Sequence, residues 1–311
     1  MQVIDAATVR DRTPWPVLVE SIAEELRRGV VVAPERHVHG FGVEDGSEGS
    51  LLLMPAWSDG ELAITKVVTY VGSNADRALP TVSSIVLAFD GADGRPLATI
   101  DGDALTARRT AAVSALAARH LAPVDAARLL VVGTGALAPN LAAAHATVRP
   151  IEAVEIWGRR PDRAAAVAAT LAGEGLPATP VDDLATGVAR ADIVSCATGA
   201  TEPLVRGVWL GRRTHLELVG SFSAAMRECD DEAIRRGTVF VDARAGALAA
   251  GDLARPIEDG VLDPAHIAAD LAGLVRGDHP GRGSDDQLTI FKSAGTAAAD
   301  LAATRLVLAA G

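Results

Sequence analysis

The sequence predicts an α/β protein of two domains, and three observations carry that expectation. Strand-like runs separated by turn residues fill residues 30–101. A regular alternation of short apolar strands with helices begins near residue 128. The last segment is a strand-like run followed by a long apolar helix. At 311 residues, 49% of them hydrophobic, the chain has material for one large or two ordinary cores. Aromatic residues make up 3%, so Ala, Val and Leu must fill the interior, which suits layered helices and strands over an aromatic-rich binding surface.

Each element of the first texture has a local reason. Residues 15–28 (WPVLVESIAEELRR) place apolar side chains at helical spacing and stop at Gly29. Five strand-like runs follow: GVVVAPERHVHG, SLLLMPAW, ELAITKVVTYVG, TVSSIVLAFDG and RPLATID. Clusters such as SDG (58–60) and DGADG (90–94) separate them at hairpin spacing. After Asp101 the period turns helical, with Leu105, Ala112, Val113, Leu116 and Leu121 on a broad stripe.

From residue 128 strand and helix alternate: RLLVVGTG then PNLAAAHATV, AVEIWGR then PDRAAAVAATLAGEG, with further strands in ADIVSCAT, HLELVGS and TVFVDAR. Such alternation implies a parallel sheet with helices on both faces. The segment TIFKSAGTAAADLAATRLVLAAG reads as a strand, a glycine turn and a helix apolar enough to return and pack on the first domain.

The run LLVVGTGALA (129–138) fits the pattern strand, G-x-G-x-x-A, helix. Gly133 makes the tight turn and Gly135 lets the backbone approach a pyrophosphate. Ala136 and Leu137 open the helix whose N-terminus faces the phosphate, and Ala138 permits close helix–strand packing. An ordinary glycine-rich turn would look similar, but the position at the head of a βαβ unit favours a dinucleotide site and hence a Rossmann domain. The residue that reads the adenosine ribose is expected about 20 residues further on. There the strand ends IWGRRPDR, with Gly158 where an NAD enzyme would carry an acid, followed by Arg159, Arg160 and Arg163. A small residue backed by guanidiniums suits a 2′-phosphate, which makes NADP(H) the preferred cofactor and NAD(H) a possible one. The same arginines would also serve as a solvated helix start.

Charge and composition exclude other classes. A net charge of −11 argues against nucleic-acid or anionic-membrane partners, both of which need a basic face. No stretch approaches the roughly 18 apolar residues of a membrane span, and the start, MQVIDAATVRDR, is too charged for a signal peptide. Cys196 and Cys229 have no CxxC spacing, which suits buried free thiols in a reducing compartment. The expectation is a soluble, cytoplasmic protein.

Four cations stand out in the first domain: Arg36, Lys66, Arg108 and Arg109. The chain has two lysines, Lys66 and Lys292, against 27 arginines. Lys66 interrupts the apolar run LAITKVVTYV, where an unpaired buried ammonium is costly. Either a partner or a ligand neutralises it, or it snorkels from a strand edge; the residues alone favour the second account. Lys292, in TIFKSAG, has no evident role. His37 and His39 share a strand face, but no third ligand follows at metal spacing.

These stretches also resemble the ornithine cyclodeaminase/mu-crystallin family over essentially the whole chain. The matching segments are LLLMPAW, ITKVVTY, DGDALTARRTAAVSALA, VVGTGALA, EIWGRRPDRA, LELVGSFSAAMRECDDEA and GRGSDDQLTIFKSAGTAAADLAA, in order. The resemblance implies a mixed α/β substrate-binding and dimerisation domain (1–118 and 289–311), a Rossmann domain (119–288) and a homodimer. It implies that Arg36, Lys66 and Arg109 clamp the α-carboxylate of a substrate, with Lys66 and Arg109 as catalytic candidates. It further implies that Thr81, Arg109, Thr198, Val219, Gly220, Ser221 and Ser293 contact the nucleotide.

Departures from the cyclodeaminase branch narrow the expected activity. Phe222 stands where that branch carries a proton-transferring aspartate, Leu52 where it carries an acid for ornithine's distal amine, and Gly158 where it carries the ribose reader. Leu137 replaces a glutamine common in the family's phosphate loop. The implied activity is NADPH-dependent reduction of a small cyclic imine carboxylate, Δ1-pyrroline-2-carboxylate or Δ1-piperideine-2-carboxylate. Ornithine cyclodeamination, an alanine-type dehydrogenase reaction and a non-catalytic binder of the mu-crystallin kind are the alternatives.

Overall fold

The computed structural model describes residues 1–77 and 79–310, apart from the side chain of Ala75. The chain forms two compact units, Met1–Arg109 with Thr296–Gly311, and Thr110–Gly295.

The first unit opens with β1 (Gln2–Ile4), α1 (Ala6–Arg12) and α2 (Trp15–Arg28), then β2 (His37–Gly42), β3 (Glu48–Ser58), β4 (Leu62–Val71), β5 (Val82–Asp90) and β6 (Pro96–Asp101). The six strands form one sheet in the order β1-β6-β5-β4-β3-β2, antiparallel except for the β1–β6 pair. Alternation along the strands sends Met54, Ala56, Leu62, Ile64, Val86 and Ile100 into the core. Helix α2 covers that core with Leu18, Val19, Ile22 and Ala23, each buried Leu or Ile contributing about 2 kcal/mol relative to exposure. It stops where the sequence places the stop, with Gly29 left-handed (φ 63°) and its N–H donating to the Glu25 carbonyl. The C-terminal helix, Ala297–Ala309, packs on α2 and against β3 and β4.

Helix α3 (Gly102–Leu121) contains the division between the units. The second unit continues with β7 (Arg128–Val132), α4 (Leu137–His145), β8 (Ala153–Trp157), α5 (Pro161–Gly173), β9 (Ala178–Pro180), α6 (Leu184–Arg190), β10 (Ile193–Cys196) and β11 (His215–Leu218). After these come α7 (Asp231–Arg236), β12 (Thr238–Val241), α8 (Arg244–Ala249), α9 (Gly251–Glu258), β13 (Ala269–Asp270), α10 (Leu271–Arg276) and β14 (Thr289–Lys292). All eight strands run parallel in the order β13-β12-β14-β11-β10-β7-β8-β9, buried on both faces as a Rossmann sheet requires. From β7 the chain moves outward to β8 and β9 on one side, then returns to β10 and β11 on the other. That reversal is the switch point at which such sheets bind ligands.

The fold departs from the expected boundaries at both divisions: the first falls at Arg109–Thr110, inside α3, and not at 118–119, and the second falls after Gly295 and not before residue 289. Residues 289–292 pair with β11 and β12 inside the second sheet, so they belong with residues 110–295 and not with the first unit. A four-residue apolar run carries no local mark of which sheet it joins; backbone pairing decides. Within this sheet Glu217 on β11 is fully buried, 3.1 Å from His145 of α4 and 3.2 Å from His215, and it accepts a hydrogen bond from Ser195 at 2.9 Å. Burial would raise the Glu217 carboxyl, but His145 and then His215 bring it down to about 2. Burial likewise opposes a charge on His145, yet Glu217 carries it above the ordinary histidine value. The pair ties the phosphate-loop helix to the centre of the sheet. Among the described residues, no helix is long and apolar enough to cross a membrane.

Candidate active site

Lys66 lies in the middle of β4, paired across the sheet with Met54 on β3 and Val86 on β5. Its odd spacing from Val67 directs the side chain to the helix-covered face, where it is 2% exposed. An interior strand leaves no edge to snorkel from, so that account is overturned. The ammonium instead meets Asp300 in the first turn of the C-terminal helix. Nζ lies 2.8 Å from Oδ2, as an ion pair without hydrogen-bond alignment. Arg109 donates from Nε to Oδ1 of the same carboxylate at 2.8 Å. Asp300 is fully buried and Arg109 nearly so.

Two cations thus share one carboxylate. Burial would raise the Asp300 carboxyl, but Arg109 and Lys66 bring it below its ordinary value. Lys66 is pulled down to about 8, first by burial, then by Arg109, against the opposing pull of Asp300; half-buried Arg36 lowers it further. The cluster therefore holds a surplus of positive charge out of water, a setting that favours a bound anion. Sequence reasoning missed Asp300, although its signal mirrors that of Lys66: a lone acid inside an alanine-rich helix.

The arginine pair divides its work. Arg108, one residue from Arg109 and turned away from it by the helix, stacks 3.4 Å from the Trp15 ring centroid. It donates from Nε to Thr13 Oγ1 at 3.1 Å and from its terminal nitrogen to the Thr13 carbonyl. It fixes the junction of α1 and α2. Thr81 lies just ahead of β5; its carbonyl accepts from the Val71 N–H at 2.8 Å. Leu52 on β3 is half-buried, in register with Val68.

In the second unit the phosphate loop has the expected shape. Gly133 has φ 130°, and a Cβ there would meet the Ala197 carbonyl oxygen at 2.5 Å, so only glycine fits. At Gly135 a Cβ would meet nothing within 4 Å, which leaves open space before the backbone. Helix α4 starts behind Ala136 with no side-chain cap; the Ala138 N–H donates to the Gly135 carbonyl at 3.0 Å, and no side chain competes with an anion for the helix start. Leu137 is half-buried and Ala138 fully buried against the sheet. After β8, a Cβ at Gly158 would lie 2.5 Å from Thr134 Cγ2, so a longer side chain would have to displace Thr134. Arg159 and Arg163 are exposed, and Arg160 bonds Asp162 at 3.2 Å. These features fit a dinucleotide with its pyrophosphate at α4.

Thr198, Val219, Gly220 and Ser221 follow the ends of β10 and β11, at the carboxyl edge of the sheet. Thr198 donates through its N–H and hydroxyl to Glu228, at 2.7 and 2.9 Å. Ser221 donates its hydroxyl to the Met226 carbonyl at 2.8 Å, and Ser293 donates to Asp242 at 3.0 Å. Both hydroxyl protons are thereby committed within the protein. Phe222 is exposed. Lys292, which had no evident role, is fully buried and donates to the carbonyls of Leu218 (3.0 Å) and Ser221 (2.5 Å) and to Asp252 (3.0 Å). Cys196 and Cys229 are buried free thiols, and His37 and His39 are exposed.

Comparison with known proteins agrees with this architecture. A Δ1-pyrroline-2-carboxylate reductase of Paracoccus denitrificans is 40% identical over 255 residues, 81% of each chain. The Δ1-pyrroline-2-carboxylate reductase of Thermococcus litoralis, solved with NADH and L-proline, superposes with a TM-score of 0.94 at 31% identity, covering 99% of this chain and 97% of that one. An archaeal alanine dehydrogenase dimer with bound NAD superposes at 0.90 with 25% identity, over 99% and 95%. The ornithine cyclodeaminase/mu-crystallin family profile matches residues 6–310, and the chain belongs to that family.

Proposed function

We propose that this protein reduces the C=N bond of a small cyclic imine carboxylate, Δ1-pyrroline-2-carboxylate or Δ1-piperideine-2-carboxylate, to the cyclic amino acid. The observation that carries the reading is the surplus positive charge around Asp300, which one substrate carboxylate would neutralise. The relatives named as Δ1-pyrroline-2-carboxylate reductases, one of them holding NADH and L-proline, support it.

Arg36 and Arg109 clamp the carboxylate; Arg109 has its terminal nitrogens left after Nε is committed to Asp300. When bound, the reduced dinucleotide supplies the hydride that the imine carbon takes up. That carbon is the better electrophile once its nitrogen is protonated, and Lys66 is the proton source. Held at about 8, it is still charged at neutral pH yet gives up its proton more readily than an ordinary lysine. It then recovers a proton from water, so imine, hydride and proton sum to the amine. Phe222 offers no titratable group for the step.

We assign substrate binding and dimerisation to the first unit and dinucleotide binding to the second, with NADPH preferred. Gly158 leaves no acid to repel a 2′-phosphate, and Arg159 and Arg163 stand exposed beside it. A homodimer accounts for the face of the first sheet opposite its helices, where Leu53, Val67 and Ile85 form an apolar row across three strands, Ile85 44% exposed. The archaeal relative described as a dimer supports this assignment. Two buried free thiols suit a cytoplasmic location.

The test follows NADPH and NADH oxidation with both imines and with 2-oxo acids plus ammonia, and ammonia release from L-ornithine with NAD. Fast NADPH-linked reduction of a cyclic imine is expected. Turnover confined to 2-oxo acids, or to ornithine, would replace the reading by a dehydrogenase or a cyclodeaminase. Dinucleotide binding with no turnover would leave a binding protein. A clear NADH preference would remove the role given to Gly158, Arg159 and Arg163.

A further inference from the structure

Behind the turns that follow β10 and β11 lies a group of charges that the reaction does not use. Glu228 is 1% exposed, yet its carboxylate collects hydrogen bonds from two separate turns. From the turn after β10, Thr198 donates its N–H and hydroxyl to Oε1. From the turn after β11, Gly220 donates its N–H to Oε2 at 2.8 Å, with the Ser221 N–H more distant at 3.4 Å. The two turns touch directly. A Cβ on Gly220 would fall 2.1 Å from the Thr198 carbonyl oxygen and 2.6 Å from Glu228 Oε1, so the position admits only glycine.

The Glu228 backbone is braced from the other side. Asp252, in the first turn of α9, accepts the Glu228 backbone N–H at 2.7 Å through Oδ1, and its Oδ2 takes the Lys292 ammonium at 3.0 Å. Lys292 in turn grips the carbonyls on either side of the second turn, those of Leu218 and Ser221. One acid therefore ties the turns together through their donors, and one lysine fixes the second turn through its acceptors.

We propose that Glu228 is a positioning residue that holds the turns after β10 and β11 in the one arrangement that receives the dinucleotide, with Lys292 and Asp252 as its brace. The proposal rests on the assignment of Thr198, Gly220 and Ser221 to the cofactor side. Its chemistry predicts a pH dependence. An ionised carboxylate accepts all four donors, whereas a protonated one turns an acceptor into a hydroxyl. Burial, then Asp252, push Glu228 up to about 7, against the pull of Lys292 and Thr198. The other groups facing it, the Cys196 and Cys229 thiols, are held well above their ordinary value by burial and stay neutral. Glu228 therefore loses its charge, and the turns their tie, as pH falls through about 7.

The experiment compares the wild-type protein with Glu228→Gln, which keeps the shape and replaces one acceptor oxygen with a donor. Two readouts are used: hydrogen exchange of the ligand-free protein in peptides spanning 195–201 and 217–223, and NADPH and NADH dissociation constants by fluorescence between pH 6 and 8. The variant is expected to exchange faster in both peptides and to bind roughly tenfold more weakly or worse at pH 8, as loss of hydrogen bonds to a charged group implies. Wild-type affinity is expected to fall toward pH 6 more steeply than that of the variant. The wild-type titration needs no variant to fold, and a wild-type affinity that is flat across this range overturns the pH dependence. A variant with wild-type exchange and affinity overturns the positioning role. If neither protein binds either dinucleotide, the proposed function fails, while faster exchange in the variant still supports the tie itself.

Discussion

Lys66 and Lys292 occupy closely similar settings and end in opposite electrical surroundings. Each lies within a strand, each is shut away from solvent, and each meets an aspartate in the first turn of a helix. Lys292 has three acceptors for its three N–H groups, two carbonyls and a carboxylate, and a second acid, Glu228, close by. Lys66 has Asp300 as its one partner among the described residues and must share it with Arg109. One lysine is saturated and sits among excess negative charge; the other has donors to spare and sits among excess positive charge. Burial alone does not fix what a lysine is free to do. The distinction lies in how many of its protons are already taken.

Substitutions can break this contrast from either side. The largest effect is expected from Lys292→Met, which leaves Asp252 and Glu228 buried without their cation. A loss of about 4 kcal/mol in urea unfolding follows from breaking a buried pair. A loss below about 1 kcal/mol would mean that Lys292 does not brace the turns. Lys66→Arg keeps the charge and removes the transferable proton. It is expected to lower kcat by roughly a hundredfold, about 2.7 kcal/mol, while NADPH affinity and unfolding stay near wild type. Undiminished turnover would reduce Lys66 to a point charge.

The same contrast sharpens with pH. Lys66 sits below its ordinary value, at about 8, so its protonated form is complete below that pH and is lost as pH rises through it. Turnover is expected to fall by about tenfold per unit above pH 8 in the wild type, and Lys66→Arg is expected to lack this limb. The smallest effect belongs to the surface. Replacing Arg159 and Arg163 together by alanine is expected to raise the KM for NADPH by roughly tenfold and leave that for NADH unchanged. Equal effects on both would detach these arginines from the 2′-phosphate.

Much of this was readable in the residues. The alternation in ELAITKVVTYVG gave a strand with one face buried, Gly29 gave a helix end, and VVGTGALA gave the phosphate loop, because each rests on periodicity or backbone freedom within a few residues. Lys66 was visible as an anomaly, but its meaning was not, since the residues alone favoured snorkelling and only the interior place of β4 in the sheet excludes it. Asp300 escaped because its partner Arg109 is 191 residues away in the chain. Nothing in an alanine-rich helix announces which of its faces will meet a strand. TIFK has the composition of a strand, but nothing within it marks that it pairs in the second sheet, for the same reason. The roles of Glu228, Asp252 and Asp242 depend on turns brought together only by the finished sheet.

The placement of Asp300 also orders events during synthesis. A ribosome that has made Lys66 and Arg109 must add 191 further residues after Arg109 before their shared counter-charge exists. Until the C-terminal helix docks, the first sheet has an open face and two cations with no reason to enter it. The nascent first unit therefore cannot close before the C-terminal helix has been made. A polypeptide truncated before residue 300 is expected to lack the cluster however well its Rossmann sheet has formed.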